Sequence, residues 1–286
     1  MKKPKTLLAT LRRRAPFLRG RALVTQLELK GVIGGTLAGG RGLSHAKVAD
    51  AIAAAFKPKR LAAVALSINS PGGSPVQSRL IYQAIRREAD KKKAPVYAFV
   101  EDVGASGGYI LALAADEIYA DASSVIGSIG VISAGFGFHE AIARLGVERR
   151  IHTAGESKSQ LDPFRREDPK DVERLKAVLD DLHEQFIGLV RERRGARLAA
   201  ADDLFSGAFW SAGPAASRGL IDGTAHLIDF LRGRFGDDVK IRKVSLGGVP
   251  LVRRLFGAVA AESAETPGEA LWSAAEARAL WARYGL

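Results

Sequence analysis

The sequence predicts an α/β protein in which buried parallel strands alternate with amphipathic helices. Short β-rich runs near 24–33, 61–68, 95–101 and 117–120 are separated by segments of helical length and period. The run LAAVALSI at 61–68 is apolar throughout, as a strand covered on both faces of a parallel sheet must be. Two strand ends open into glycine-bearing turns that lead into helices: Asn69-Ser70-Pro71-Gly72-Gly73 and Gly104-Ala105-Ser106-Gly107-Gly108-Tyr109.

In chain order, VTQLELKGVI at 24–33 alternates and is β-branched, so it reads as a strand, and Gly34 to Gly42 reads as a loop. A helix follows from about Ser44 to Phe56, with Ser44 as N-cap and Val48, Ile52 and Phe56 on one face. After the 61–68 strand, a helix from Ser74 to about Lys91 is expected to turn Val76, Leu80, Ala84 and Ile85 inward. The strand Pro95–Glu101 runs into the Ser106 turn, then a small-residue helix reaches Ala115. A short strand at 117–120 and the loop VIGSIGVI at 125–132 close this block.

Asp168-Pro169 supplies an N-cap and a proline at the first helical position. Val172, Leu175, Leu179, Leu182, Phe186 and Leu189 then form one apolar face, expected to pack in the core, with a subunit interface as the second reading, and Gly195 ends the helix. Pro250–Ala261 pairs apolar residues with Arg253 and Arg254, the pattern of an interfacial helix or of one capping the surface. The expected organisation is a basic extension at 1–21, a catalytic domain at 22–245 and an amphipathic extension at 246–286.

Composition bounds the function classes. A chain of 286 residues, 47% hydrophobic and 26% charged, can bury a substantial core. It has no cysteine, which excludes disulfides, thiolate catalysis and cysteine-ligated zinc. Lys and Arg number 43 against 31 Asp and Glu, a net charge of +12. Lys2, Lys3, Lys5, Arg12, Arg13, Arg14, Arg19 and Arg21 all precede the first acidic residue. Such a segment is a solvated tail or a peripheral contact with anionic lipid. No run approaches the roughly 20 apolar residues of a membrane-spanning helix, and Leu7-Leu8-Ala9 is too short for a signal peptide core. The expectation is a cytoplasmic protein, peripherally membrane-associated if the tail meets lipid. Few aromatics and no nucleic-acid-binding signature argue against nucleic acid as a partner.

Three segments bear chemistry. Ser106, on a turn between a buried strand and a helix, has the setting of a nucleophile, although such a serine equally serves as a helix cap. Gly72-Gly73 after Pro71 can present uncovered amides to an oxyanion, although Pro-Gly turns occur in many loops. Lys158, in GESKS at 155–159, can act as a general base only if its ammonium is desolvated; otherwise it is an ordinary surface lysine.

The ordered set NSPGG, ASGGY, GSIGV at 127–131, AGESKS and DPF at 162–164 resembles the S49 peptidases, the signal-peptide-peptidase-A family. The resemblance continues through SGAFW at 206–210 and SRGLID at 217–222, covering roughly 24–230. It implies a ClpP/crotonase-like fold of stacked βαβ units that forms oligomers. It also implies Ser106 as nucleophile, Lys158 as general base, and Gly73 and Gly107 as oxyanion amides. Ser128 would help orient the lysine amine. Peptides or unfolded, signal-peptide-like segments would be cleaved through an acyl-enzyme, without metal or organic cofactor. In short members of the family the serine and lysine of one site come from neighbouring protomers, and this chain carries one copy of each motif. One departure is that family members commonly carry an N-terminal membrane anchor, whereas here that region is basic and polar.

Two other readings share the fold. A crotonase-type enzyme acting on an acyl-thioester would use the oxyanion glycines but not the Ser106–Lys158 pair. A non-catalytic membrane-associated scaffold would need neither. The five histidines have no metal-ligand spacing; His152, near the lysine loop, could pair with Ser106 in place of Lys158, although a lone strand histidine is more often structural.

Overall fold

The computed structural model describes residues 21–34, 42–246 and 267–285. The basic extension up to residue 20 and the Pro250–Ala261 stretch lie outside the described residues.

The strands are β1 (Leu23–Lys30), β2 (Leu61–Ser70), β3 (Val96–Ala105), β4 (Glu117–Ala120), β5 (Val125–Gly127), β6 (Phe209–Ser211), β7 (Gly223–Thr224) and β8 (Lys240–Val244). They form one sheet in the order β6-β5-β3-β2-β1-β8, with β4 joining β3 to β7. All pairings are parallel except β5 with β6. Along one edge of β3, Tyr97–Val100 pair with β4 and Val103–Ala105 pair with β5. This puts the last rung, Ala105↔Gly127, directly beside the Ser106 turn.

Side-chain alternation sorts the central strands between two cores. Val64, Leu66 and Ile68 of β2 and Val96, Ala98 and Val100 of β3 join the larger cluster, under α1 (His45–Phe56) and α2 (Pro75–Lys92). Ala63, Ala65, Tyr97 and Phe99 point the other way, against Leu231 and Phe230 of α7 (Leu227–Phe235). With both faces covered, these strands can be apolar at nearly every position.

The remaining helices are α3 (Gly107–Ala112), α4 (His139–Arg144), α5 (Pro169–Arg194), α6 (Ala212–Ser217) and α8 (Pro267–Ala282). Asp168 caps its helix as expected, its side chain accepting from Lys170 N–H ahead of Pro169, and the Ser74 side chain also acts as a cap, accepting from Gln77 N–H. Ser44 precedes α1, but its side chain makes no capping bond. The His45 N–H donates instead to Gln77 Oε1 at 2.8 Å, so a neighbouring helix supplies the cap.

Two expectations about inward faces are corrected. Val76 and Leu80 of α2 are 62% and 38% exposed, and the buried face is Ile81, Tyr82, Ala84, Ile85 and Ala89. The apolar stripe of α5 is core only from Phe186 onward, while Val172, Leu175, Leu179 and Leu182 are half-buried. Only the second half of the helix reaches the core; in the first half no residue is fully buried. The whole stretch between Ile129 and Phe186 contains no buried residue, yet it displays Ile132, Phe136, Leu145, Val147 and Val178.

Candidate active site

Ser106 sits where β3 becomes α3, with φ +52° and ψ −124°. A non-glycine residue there carries about 1–3 kcal/mol of strain that its surroundings must offset. Three backbone bonds hold it: its N–H donates to Gly127 carbonyl at 2.8 Å, and its own carbonyl accepts from Tyr109 and Ile110. Below, Tyr109 is fully buried and donates its hydroxyl hydrogen bond to Leu220 carbonyl at 2.6 Å. Burial holds the phenol well above its ordinary pKa and so keeps it a donor. The Ser106 hydroxyl itself makes no hydrogen bond among the described residues.

The two glycine turns pack backbone against backbone. Gly73 has φ +137°, and a Cβ on it would stand 2.1 Å from the Ile33 carbonyl oxygen. The hydrogen bonds Ile33 N–H to Gly72 carbonyl and Ser74 N–H to Ile33 carbonyl, both 2.8 Å, straddle Gly73. Its own N–H is left without a backbone partner among the described residues. A Cβ on Gly107 would lie 2.4 Å from Ser78 Oγ. Gly107 opens α3, where amides have no intrahelical acceptor. Gly73, Gly107 and Ser106 all line one cleft of about 390 Å³, so two unengaged donors and an unbonded hydroxyl share a cavity. That is the set needed to attack a carbonyl and hold the oxyanion that forms.

Ser128 follows Gly127 and is also left-handed, with φ +52°, and is buried. Its N–H donates to Ala208 carbonyl at 2.7 Å, so the SGAFW segment fixes its position through the β5–β6 pairing. Its hydroxyl has no partner among the described residues. The SRGLID segment has a comparable anchoring task. Arg194 is 3% exposed; it donates to Gly219 carbonyl at 2.7 Å and to both Asp222 oxygens at 2.8 and 3.2 Å. Asp222 Oδ2 also accepts from Ile118 N–H at 2.7 Å. Burial raises the Asp222 pKa, but the hydrogen bonds from Arg194 and Ile118 and the Arg194 charge outweigh it and hold the carboxyl below its usual range.

Lys158 is exposed, in the core-less stretch after Ile129, and does not line the Ser106 cleft. His152 is exposed in the same stretch. The chain therefore gathers Ser106, Gly73, Gly107 and the Ser128 turn at one sheet edge and holds Lys158 apart. The cleft walls come largely from residues with no sequence signal for a site: Val76 and Arg79 of α2, Leu182, Gln185, Phe186 and Leu189 of α5, and Leu280, Arg283 and Tyr284 at the end of α8. Tyr284 reaches this position edge-on to Phe209, with ring centroids 5.1 Å apart. Among the described residues no group of His, Asp or Glu is arranged to hold a metal ion, and no helix is long and apolar enough to cross a membrane.

Comparison with known proteins gives this geometry a context. Residues 88–232 match the model of peptidase family S49. A Synechocystis protein named as a protease is 30% identical over 205 residues, covering 70% of this chain and 73% of that protein. A Brucella melitensis protein named Na(+)/H(+) antiporter NhaA is 48% identical over 279 residues. That match covers 94% of this chain, which spans only 38% of the Brucella protein's length. The solved structure of a mutant of the 1510-N membrane-bound stomatin-specific protease superposes with a TM-score of 0.50 at 16% identity. It covers 79% of this chain and 99% of its own, a likeness of fold.

Proposed function

The chain belongs to peptidase family S49, and from that premise we propose that it is a serine endopeptidase using Ser106 with Lys158 of a neighbouring protomer. The observation that carries this reading is the Ser106 hydroxyl, unbonded on a strained strand-to-helix turn and sharing its cleft with the free Gly73 and Gly107 amides.

In this mechanism Ser106 Oγ attacks the scissile carbonyl while its proton passes to neutral Lys158 Nζ. The carbonyl oxygen becomes an oxyanion held by Gly73 and Gly107 N–H. The lysine ammonium returns the proton to the departing amine as the C–N bond breaks, leaving an acyl-enzyme. Water then gives a proton to Lys158 and attacks the ester; collapse releases the acid and restores both side chains. The Ser128 hydroxyl, buried and unpartnered beside Gly127, is the group that orients the incoming amine.

Sharing between protomers is supported by where Lys158 sits. It lies outside the Ser106 cleft, within a stretch (130–185) that contains no buried position but exposes several large apolar side chains. A segment of that kind is completed by covering it, and a second copy of the chain both covers it and delivers the lysine. The substrates are peptides or unfolded segments, since an extended chain can enter the mostly apolar cleft.

The test is hydrolysis of an unfolded, fluorescently quenched polypeptide by wild type, Ser106→Ala and Lys158→Ala, each first checked for folding. Wild-type turnover with both variants silent, and recovery on mixing them, is expected. Equal turnover by all three would overturn the site assignment. Silence of all three, with coenzyme A thioesters raising the melting temperature, would favour the acyl-thioester reading instead.

A further inference from the structure

The walls of the Ser106 cleft carry charge of one sign only. Most are apolar: Val76, Ile110, Val131, Ile132, Phe186 and Leu189 among them. Among the described residues the only charged side chains lining the cleft are Arg79 and Arg283, with no Asp or Glu. Elsewhere several arginines of the domain are compensated: Arg86 pairs with Asp90 and Asp116, Arg194 with Asp222 and Arg218 with Asp203. Arg79 and Arg283 have no side-chain hydrogen bond or ion pair among the described residues.

Arg79 is well placed to meet a substrate. It lies one helical turn after Val76, and residues three apart share a helix face. That face starts three residues after Gly73 and lines the same cleft as Ser106. Arg283, at the far end of the chain, lines it as well. Both are exposed to solvent, and together they give the apolar cleft a positive potential that no neighbouring carboxylate offsets. A planar carboxylate satisfies such a group with paired hydrogen bonds, which a neutral amide cannot match.

Resting on the peptidase reading of Ser106, we propose that Arg79, together with Arg283, selects substrates that place a carboxylate close to the scissile bond. The carboxylate is either an acidic side chain or the free C-terminus of the peptide. The apolar walls bind the neighbouring residues, and the arginines set which apolar segments are taken.

Binding to the full-length Ser106→Ala protein tests this without relying on turnover. The probes are fluorescent alanine- and leucine-based peptides followed by polarisation: one ending in a free carboxylate, the same peptide as its C-terminal amide, and amides carrying a single internal Glu or Gln. Affinity about tenfold tighter for a carboxylate-bearing peptide than for its neutral counterpart is expected. The preferred member of the set, free C-terminus or internal Glu, identifies the source. Adding Arg79→Glu to the Ser106→Ala background should erase or invert that ratio, and a peptide with internal Lys should then gain. Equal affinity for charged and neutral peptides would overturn the proposal, as would an acid preference that survives Arg79→Glu and Arg283→Glu together. If wild type cleaves no peptide while the Ser106→Ala protein keeps its acid preference, the peptidase reading fails and the carboxylate site stands.

Discussion

Ser106 and Ser128 each follow one partner of the same parallel rung, Ala105↔Gly127, and both leave it with φ +52°. The Ser106 N–H donates to Gly127 carbonyl, the residue just before Ser128. Two strained serines, each with a hydroxyl unpartnered among the described residues, are therefore coupled through a single pair of backbone residues. One is exposed to the cleft and the other is buried.

A buried hydroxyl without a partner costs stability and is retained where it serves something else. Ser128→Ala is accordingly expected to leave the melting temperature unchanged or slightly raised. Its kcat should fall by about 10- to 100-fold with KM little altered, because in the proposed mechanism this hydroxyl contacts the base rather than the substrate. A matched loss of stability and activity would mark Ser128 as structural only.

At Gly107, a methyl group would meet Ser78 Oγ at 2.4 Å, the oxygen that donates to Ser74 carbonyl. Gly107→Ala should lower kcat by displacing the proposed oxyanion amide, and Ser78→Gly in the same chain should restore part of the loss. The cycle of single and double variants measures that coupling, expected at about 1–2 kcal/mol. Gly73→Ala has no such rescue, since its obstacle is the Ile33 backbone.

The Arg194–Asp222 pair fixes Ile118, Gly219 and, through Leu220, the Tyr109 hydroxyl beneath the Ser106 turn. Arg194→Met leaves the half-buried Asp222 carboxylate with only the Ile118 N–H and the longer Arg197 contact at 3.6 Å, and should cost about 3 kcal/mol in chemical denaturation. The Asp222 carboxyl has a folded-state pKa below its unfolded value of about 3.9. Its contribution is therefore complete above that value and lost as pH falls through the folded pKa. Wild type should lose stability from this source below about pH 4, and Asp222→Asn should show a flatter acid limb.

Phe136 and Val178 are 66% and 55% exposed in the stretch that has no core. If a second copy covers them, Phe136→Asp with Val178→Asp should shift the protein toward monomer in sedimentation velocity. Peptidase activity should fall with it, because Lys158 would no longer reach a neighbouring Ser106. A monomer that keeps full activity would place the lysine in its own protomer's site.

His152 is exposed and does not line the cleft. His152→Ala should keep kcat/KM within about twofold of wild type. Near-complete loss in a folded protein would transfer the role of base from Lys158 to His152.

Local covalent and steric rules made part of this molecule legible from residue order alone. The apolar continuity of residues 61–68, the Asp168-Pro169 start of α5 and the glycines of NSPGG and SGGY each reflect constraints acting over a few residues. Period two in strands and period 3.6 in helices carry that information without reference to the rest of the chain. The order of the motifs was enough to name the family. Which apolar faces found a partner, in contrast, was settled by packing in three dimensions. Val76 and Leu80 have the spacing of core residues but are exposed, and α5 is buried only from Phe186 onward. The same holds for the cleft, whose walls join residues 71–79, 106–110, 130–132, 182–189 and 280–284. Burial and electrostatic potential arise from groups far apart in sequence, as in the Tyr109–Leu220 hydrogen bond across 111 positions. For that reason the isolation of Arg79 and the separation of Lys158 from Ser106 had no local signature.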